Sequence, residues 1–253
     1  MTICFQDLVQ CKVDDLNEQK ITELFLSSIK EKDKILLGFA NVAKSIDCKR
    51  NKELKVALNK SDYIVADGVG ICVAALLLCK RNLSRVTGVD LFEKFIQLAI
   101  TRNARMYFLG GTVEVNNCLK EKVSRLAANN LVFGRDGYFP QDQWKTIVNE
   151  INECDPDILF VGMSSPLKEQ FLAQHKEDLQ VSFMMGVGGA FDVYTEKVKR
   201  APAWTRRFGL EWLVRALREP YRMRRNFGTV FLFMCQLCFL YIRSLLMRVE
   251  RKS

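Results

Sequence analysis

The chain has 253 residues, of which 49% are hydrophobic and 26% charged, and its formal net charge is +9. This composition excludes a disordered chain, because it supplies enough apolar residues for a large buried core. Residues 1–196 carry 24 basic and 26 acidic side chains, whereas residues 197–253 carry 14 basic and 3 acidic. The uneven charge argues against a protein that is basic throughout and indicates a near-neutral body with a basic end that meets an anionic partner.

The cysteines and the single histidine give no sign of a metal centre. The nine cysteines are scattered and odd in number, which favours free thiols in a reducing compartment over a disulfide framework. Cys235 and Cys238 have the spacing of a metal or redox pair but lack a second pair nearby, and His175 is expected at the surface. The N-terminus has no basic-then-apolar signal pattern, which predicts a cytosolic body.

Six short apolar runs predict six β-strands. The runs are residues 35–40, 63–66, 106–109, 131–133, 157–161 and 181–185. Most are continuous rather than alternating in polarity, as expected for strands covered on both faces. Segments with helical periodicity lie at about 44–60, 90–103, 113–128, 140–153 and 166–178. This alternation predicts an α/β fold whose sheet is parallel and carries helices on both sides, with ligands bound beyond the carboxyl ends of the strands.

The turn after the second strand contains a candidate catalytic carboxylate. Asp67 follows the strand directly and precedes Gly68, Gly70 and an apolar helix at 71–79. A carboxylate at a strand tip can act as a general base or bind a sugar hydroxyl. It can equally serve as the N-cap of the following helix. The position alone leaves both interpretations open.

Two further glycine turns follow the third and sixth strands, at residues 110–111 and 186–189. Glycines allow tight turns and close approach of the backbone to a ligand, although such turns taken singly are more often structural. The later turn does not match the dinucleotide fingerprint, because Phe191 occupies the position of its third glycine. A phosphate-binding P-loop sequence is also absent.

The turn after the fifth strand leads through Ser165 and Pro166 into a helix that carries Lys168 and Glu169 in its first turns. Pro166 suits the first turn, with Ser165 as the cap. A lysine at a helix N-terminus is electrostatically unfavourable, so Lys168 indicates either an anionic ligand or a solvated surface position. Residues 155–157 spell the DxD pattern of metal-dependent sugar transferases, but they precede the strand and should lie at the edge away from the ligand.

The basic end, residues 197–253, contains two different segments, an arginine set and an uncharged apolar run. Arg215, Arg218, Arg222 and Arg225 are spaced 3, 4 and 3 residues apart, so they share one face if the helix continues across Pro220. Guanidinium groups bind phosphate bidentately, and this set therefore suits a diphosphate.

The second segment is the uncharged run from residue 227 to residue 242, which is flanked by arginines. Sixteen residues make a helix of about 24 Å, shorter than the roughly 20 residues that usually cross a bilayer. The run predicts a helix held at an anionic membrane surface. Packing on the core or on another subunit is the alternative. A nucleic-acid groove is disfavoured, because it would not need the apolar run.

In order along the chain, these segments resemble the WecG/TagA/CpsF family, glycosyltransferase family 26. The matching segments are 66–70 (ADGVG), 85–91 (RVTGVDL), 108–111 (FLGG), 137–139 (GYF), 161–166 (VGMSSP), 186–192 (GVGGAFD), 199–202 (KRAP) and 209–215 (GLEWLVR). Several are weak alone, but the ordered set is specific and covers residues 35–225.

The resemblance implies a Rossmann-like, inverting transferase that needs neither a metal nor another cofactor. Such enzymes move a hexose or N-acetylhexosamine from a UDP-sugar to a polyprenyl-diphosphate-linked saccharide. They work at the cytoplasmic face of the bacterial inner membrane and supply cell-surface polysaccharides, exopolysaccharide among them. The implied organisation is a catalytic domain, 1–196, and a basic appendage with a membrane-associating apolar helix, 197–253. A homo-oligomer is also possible.

The resemblance also assigns roles to individual residues. Asp67 corresponds to the general base that deprotonates the acceptor hydroxyl. The donor-site residues it implies are Asn41, Arg85, Tyr138, Lys168, Gly188 and Asp192. Within that set, Arg85 suits the diphosphate, and Tyr138 and Asp192 the uracil. The residues implied for the acceptor diphosphate are Arg215, Arg222 and Arg225.

Two positions depart from the family pattern. Phe39 stands where the family usually has threonine, and Lys168 where it usually has glutamine. Both positions concern the donor, so the family's common N-acetylmannosamine assignment is not carried over. The departures also keep a non-catalytic nucleotide-binding or assembly subunit as an alternative function. A dinucleotide-dependent oxidoreductase is a third possibility, disfavoured by the missing fingerprint.

Overall fold

The computed structural model describes residues 2–127, 129–202, 205 and 220–250, with backbone alone for 2–4, 129, 220–227 and 247–250. All six predicted strands are present, each beginning and ending within two residues of its apolar run. They are β1 Ile35–Ala40, β2 Tyr63–Ala66, β3 Met106–Gly110, β4 Val132–Arg135, β5 Ile158–Gly162 and β6 Phe183–Gly186.

The six strands form a single sheet in the order β2-β1-β6-β5-β3-β4, and every neighbouring pair is parallel. The predicted α/β, Rossmann-like architecture is therefore confirmed. Since all the strands point the same way, the loops that follow them gather at one edge of the sheet, which is called the crevice edge below.

Helices connect the strands and cover the sheet. They are α1 Thr2–Val9, α2 Glu18–Glu31, α3 Val42–Arg50, α4 Lys52–Asn59, α5 Val69–Cys79, α6 Gly88–Thr101, α7 Val113–Ser124, α8 Trp144–Glu153, α9 Leu167–His175, α10 Ala190–Tyr194 and α11 Pro220–Glu250. The predicted helix at 44–60 is two helices, because Asn51 ends α3 and caps α4 by accepting the Leu54 N–H at 3.0 Å.

The side chains of each central strand divide between two cores, which explains the continuous apolar runs. On β5, Ile158 and Phe160 pack with α2, α6, α7 and α10 on one face, while Leu159 and Val161 pack with α8 and α9 on the other. A strand buried on both faces has no position for a polar side chain. The prediction of helices on both sides of the sheet is confirmed.

The C-terminal helix α11 has one docked face and one exposed face. Phe233 and Leu237 are 0% and 1% exposed and pack in a cluster with residues of α1, α3 and α5. On the opposite face, Phe231 and Phe239 are 64% and 65% exposed. The stretch Gly228–Leu246 has a mean hydropathy of 1.8 over 19 residues and is long and apolar enough to cross a membrane by length and composition. Packing on the core therefore accounts for only part of this helix.

The basic end is also attached through Arg200, whose guanidinium donates to both carboxylate oxygens of Glu93 at 3.0 Å and pairs with Asp90 on α6. This arginine is thus used by the protein itself, in contrast to the diphosphate role implied for arginines further along. The division of the chain after residue 196 stays a prediction.

The DxD segment lies where the sequence placed it, at the edge opposite the crevice. Asp157 precedes β5, and its carboxylate accepts the Arg105 N–H at 2.8 Å and pairs with Lys32. These contacts join the starts of two neighbouring strands. The carboxylate therefore has a structural role far from the loops that gather at the crevice edge.

Candidate functional site

The ends of β1 and β2 bring three of the predicted site residues together. The Asp67 N–H donates to the Ala40 carbonyl at 2.8 Å, which places the turn after β2 beside Asn41 at the end of β1. The Val86 N–H donates to the Ala66 carbonyl at 2.9 Å, so the chain before α6 returns to the same strand end and carries Arg85 with it. A carboxylate, an amide and a guanidinium thus lie at one end of the crevice edge.

Asp67 is not the cap of the helix that follows it. The N-cap of α5 is Gly68, whose φ of +105° is a conformation that favours glycine and which has no side chain that could cap the helix. The interpretation of Asp67 as the N-cap of this helix is therefore wrong.

Asp67 and Arg85 both act on the thiol of Cys72. Burial raises the pKa of this thiol, Arg85 opposes that shift, and Asp67 adds to it. The carboxylate and the guanidinium therefore act on the same small volume.

Asn41 has a clear local role as the N-cap of α3. Its side-chain oxygen accepts the Lys44 N–H at 2.9 Å, and its carbonyl accepts from the Ser45 hydroxyl at 2.9 Å. Since the oxygen is occupied by the cap, the amide NH₂ is the part of Asn41 that can donate to a ligand.

Lys168 and Glu169 are buried rather than solvated, and together with Lys44 they form a group of three charges, which we call the buried triad. Each of the three is 8% exposed. Glu169 Oε1 lies 2.9 Å from Lys44 Nζ and 3.1 Å from Lys168 Nζ. Lys44 Nζ also donates to the Phe39 carbonyl at 2.8 Å. The interpretation of Lys168 as a solvated surface lysine is wrong.

Ser165 does not cap α9, because Pro166 occupies the N-cap position and no side chain accepts there.

Lys44 was not recognised from the sequence, since a lysine near the start of a helix usually points to solvent. On one face of the sheet, α4 packs between α3 and α9, and this packing brings the Lys44 ammonium to Glu169. Only this long-range packing reveals its role, and no local signal predicts it.

The triad holds Glu169 ionised. Burial alone would raise the pKa of this carboxyl, but Lys44 and Lys168 outweigh burial and lower it from 4.5 to about 2. Burial lowers the pKa of Lys168, and Lys44 lowers it further, whereas Glu169 and Asp67 oppose the shift. Asp67, at the end of β2, therefore lies within electrostatic range of the triad.

The lowered pKa of Glu169 predicts an acid-dependent loss of stability. A carboxyl with a depressed folded-state pKa stabilises the protein above about pH 4.5, and this contribution is lost as the pH falls through about 2. The shift corresponds to about 3 kcal/mol. We expect urea unfolding at pH 7, 4.5 and 3 to show a smaller acid loss for Glu169→Gln than for the wild type. Glu53→Gln, at an exposed position on α4, should keep the full loss, and equal losses in all three proteins would contradict the assignment.

The turn after β6 lies directly over Lys168. A Cβ placed on Gly186 would be 3.2 Å from Lys168 Cδ, and one placed on Gly188 would be 3.9 Å from its Nζ. Gly188 has a φ of +55°, and its N–H points to the Val161 carbonyl at 3.3 Å. The ammonium therefore lies beneath a glycine turn at the crevice edge, where a ligand can approach the backbone closely.

The glycine turn after β3 is structural. Gly110 has a φ of +134°, and a Cβ on it would lie 2.5 Å from the Gly162 backbone. The Gly137 N–H donates to the Gly111 carbonyl at 2.9 Å, which holds the chain after β4 against the end of β3. These contacts explain the glycines without a ligand.

The two residues implied for the uracil lie on different elements. Tyr138 follows β4, is 77% exposed, and receives no cover from the described side chains that would fix its ring. Asp192 is half-buried in the first turn of α10, and its carbonyl accepts the Val198 N–H at 3.0 Å. β4 and β2 are opposite edges of the sheet, about 24 Å apart at 4.8 Å per strand. A ligand that touches both Tyr138 and Asp67 must therefore be extended.

The predictions for the acceptor arginines, for a metal site and for His175 concern other parts of the chain. Arg215 lies outside the described residues, as do the side chains of Arg222 and Arg225. Among the residues that the structure describes, no three His, Cys, Asp or Glu side chains are grouped so that they could hold a metal ion. The expected surface position of His175 is wrong, because the ring is 6% exposed and packs beside Trp144 and Phe171.

Comparisons with known proteins agree on one family. The family model described as "Glycosyl transferase WecG/TagA/CpsF family" matches residues 6–246. A relative from Bacillus spizizenii is 31% identical over 186 residues, which cover 74% of this chain and 72% of that protein. A relative from Bacillus subtilis is 30% identical over 168 residues, which cover 66% of this chain and 65% of that protein. Both are named N-acetylglucosaminyldiphosphoundecaprenol N-acetyl-beta-D-mannosaminyltransferase.

Proposed function

The chain belongs to the WecG/TagA/CpsF family of glycosyl transferases, and from this premise we propose that it transfers a hexose or N-acetylhexosamine from a UDP-sugar to a polyprenyl-diphosphate-linked saccharide. The observation that carries the proposal is the convergence of Asp67, Arg85 and Lys168 at the crevice edge. One carboxylate and two cations there match the needs of a displacement that releases a nucleoside diphosphate.

The reaction we propose is a single displacement with inversion. Asp67 accepts the proton of the acceptor hydroxyl while the oxygen of that hydroxyl attacks the anomeric carbon of the donor sugar. The bond between the anomeric carbon and the β-phosphate oxygen breaks, and UDP leaves with that electron pair. Attack from the side opposite the leaving group inverts the anomeric centre.

The departing diphosphate needs positive charge, and the described residues offer it without a metal ion. Arg85 can bind two phosphate oxygens at once, and Lys168 lies beneath the Gly186–Gly188 turn. Preorganised cations in a site shielded from water stabilise developing negative charge more strongly than they would in bulk water. We therefore propose that the enzyme needs neither a metal nor another cofactor.

The donor, in this proposal, lies across the crevice edge. Its sugar and diphosphate occupy the end near Asp67, Asn41 and Arg85, and its uracil reaches toward Tyr138 and Asp192. The exposed ring of Tyr138 offers a face for stacking. The wide separation of these residues along the sheet supports an extended nucleotide sugar over a small substrate.

The acceptor class follows from the relatives, whose name specifies a sugar linked through diphosphate to undecaprenol. We propose the same class here, with Arg215, Arg222 and Arg225 at its diphosphate. The exposed apolar face of α11 would hold the enzyme at the cytoplasmic face of the bacterial inner membrane, where such lipids are made available. The product would enter cell-surface polysaccharide synthesis.

The two departures from the family pattern do not favour the non-catalytic alternative. Phe39 is 4% exposed, and its ring packs 3.6 Å from the position that a Cβ on Gly88 would take, at the start of α6. The aromatic ring therefore fills the core and leaves the crevice open. Lys168 adds a cation at the crevice edge, which suits a diphosphate.

Turnover of a panel of UDP-sugars with a polyprenyl-diphosphate-linked acceptor tests the proposal. We expect UDP release with one hexose or N-acetylhexosamine donor, and an unchanged rate after addition of EDTA. UDP-N-acetylmannosamine belongs in the panel because of the relatives' names. Release that stops with EDTA would overturn metal independence, and the absence of turnover with every donor, together with UDP binding, would favour the non-catalytic subunit.

A further inference from the structure

The buried triad contains one more positive charge than its local structure requires. Two ammonium groups, Lys44 and Lys168, share the single carboxylate of Glu169, and all three side chains are 8% exposed. A buried ion pair that only held α9 in place would need one lysine. Removing an uncompensated charge from water is costly, so the second lysine calls for an explanation beyond packing.

The surroundings of the triad supply little negative charge to compensate for its second lysine. A cavity of about 20 Å³ beside it is enough for one water molecule and too small for a sugar, and apart from the triad its lining includes Leu36, Leu58, Leu172 and one hydroxyl side chain, Ser61. The charged group beyond the triad that opposes the lowering of the Lys168 pKa is Asp67. An anionic ligand in the crevice would add to that opposition.

The two lysines differ in what they contact. Lys44 Nζ donates to the Phe39 carbonyl at 2.8 Å and lies 2.9 Å from Glu169 Oε1, so two of its three donors point into the protein. Lys168 Nζ lies beneath the turn at Gly188, at the crevice edge. One lysine thus faces the core and the other faces the place where the diphosphate is proposed to bind.

We propose that Lys44 and Glu169 are positioning residues that present Lys168 to the diphosphate of the donor. Glu169 holds the Lys168 ammonium in place, and Lys44 offsets the charge of Glu169, so that Glu169 does not cancel the charge that Lys168 offers to the ligand. This inference rests on the proposed function, because it assumes a nucleoside diphosphate in the crevice.

Calorimetric titration of purified full-length protein with UDP, and in parallel with uridine, tests the arrangement. Lys44→Met leaves Glu169 and Lys168 as a neutral pair, and we expect the Kd for UDP to rise about tenfold. The double variant Lys44→Met with Glu169→Gln leaves Lys168 as the single charge, and the new amide oxygen can still accept from its ammonium and hold it, so we expect the Kd for UDP to return to within about threefold of the wild type. Uridine has no phosphate, so its Kd should stay the same in every variant.

Lys176→Met is the matched control. Lys176 also pairs with a carboxylate, that of Asp62 at the start of β2, but at the edge opposite the crevice. The same loss of charge there should leave the Kd for UDP unchanged. If Lys44→Met fails to fold in a thermal unfolding assay, Lys44→Gln replaces it, since the amide can still donate to the Phe39 carbonyl.

The outcomes separate this inference from the proposed function. A double variant that binds UDP as weakly as Lys44→Met, or a loss of uridine binding that matches the loss of UDP binding, would overturn the positioning role. Wild-type protein that binds neither UDP nor uridine would instead overturn the proposed donor. Restored UDP affinity in the double variant supports the arrangement, because a merely structural role predicts further damage from the second substitution.

Discussion

Replacement of Asp67 by asparagine is expected to lower kcat about 10³-fold while the folded structure and UDP binding persist. The change keeps the size of the side chain but removes the group that accepts the proton, and general bases typically contribute 10²–10⁴-fold. The N-cap position of α5 is held by Gly68, so the substitution leaves the cap residue itself unchanged. Steady-state turnover with the preferred UDP-sugar and a lipid-diphosphate acceptor measures the effect.

The direction in which the Kd for UDP changes in Asp67→Asn gives this experiment a second readout. Asp67 lies within electrostatic range of Lys168 and adds negative charge near the proposed diphosphate site. Removing that charge should leave the Kd for UDP unchanged or lower it. Asp33→Asn, at an exposed position just before β1 at the opposite edge, should keep both kcat and the Kd. Turnover near the wild-type rate in Asp67→Asn would refute the base assignment, and a weakened UDP affinity with a lowered Tm would point to a structural role.

The central strands could be predicted from the sequence because they are buried on both faces. Burial of this kind forces an unbroken apolar run such as residues 158–162, and the run marks the strand almost residue by residue. Once the strands are placed, parallel pairing sends their following loops to one edge. This is why the turns after β2 and β6, which carry Asp67 and Gly188, were expected at one edge of the sheet and are found there.

The remainder of the site depends on packing that the local sequence does not encode. Lys44 belongs to the site because α3 and α9 lie on the same face of the sheet, where Glu169 pairs with Lys44. His175 was misplaced because its polar neighbours in sequence suggest a surface helix, while Trp144 on α8 covers the ring. Contacts between elements far apart in the chain decide both cases.

The exposed face of α11 leads to the second large expected effect. Phe231, Phe239 and Ile242 are 64%, 65% and 57% exposed, and they point away from the face that carries Phe233. A variant with serine at these three positions should keep its stability and its Kd for UDP, because the docked face is untouched. We expect its partition onto vesicles containing phosphatidylglycerol to fall at least 100-fold, at about 1 kcal/mol or more for each apolar side chain withdrawn from water.

This triple variant tests membrane binding more specifically than removal of the basic end does. Ending the chain near residue 196 would also delete Leu237 and the ion pairs of Arg200, and would uncover the cluster formed by α1, α3 and α5. A loss of vesicle binding in such a chain could then follow from damage to the body. Serine at the exposed positions alters only the surface that the membrane proposal uses.

Serine at three exposed apolar positions elsewhere is the matched control for the α11 variant. Val56, Val113 and Leu126 are 60%, 55% and 61% exposed and lie outside α11, so the control removes similar apolar surface without affecting vesicle binding. With a short-chain, water-soluble acceptor both triple variants should turn over like the wild type, and only the α11 variant should lose activity on acceptor embedded in vesicles. Unchanged vesicle binding by the α11 variant, with a shift from oligomer to monomer on size exclusion, would show that this face joins subunits rather than lipid. In that case the arginines near residue 222 would have to bring the enzyme to its acceptor without help from the apolar helix.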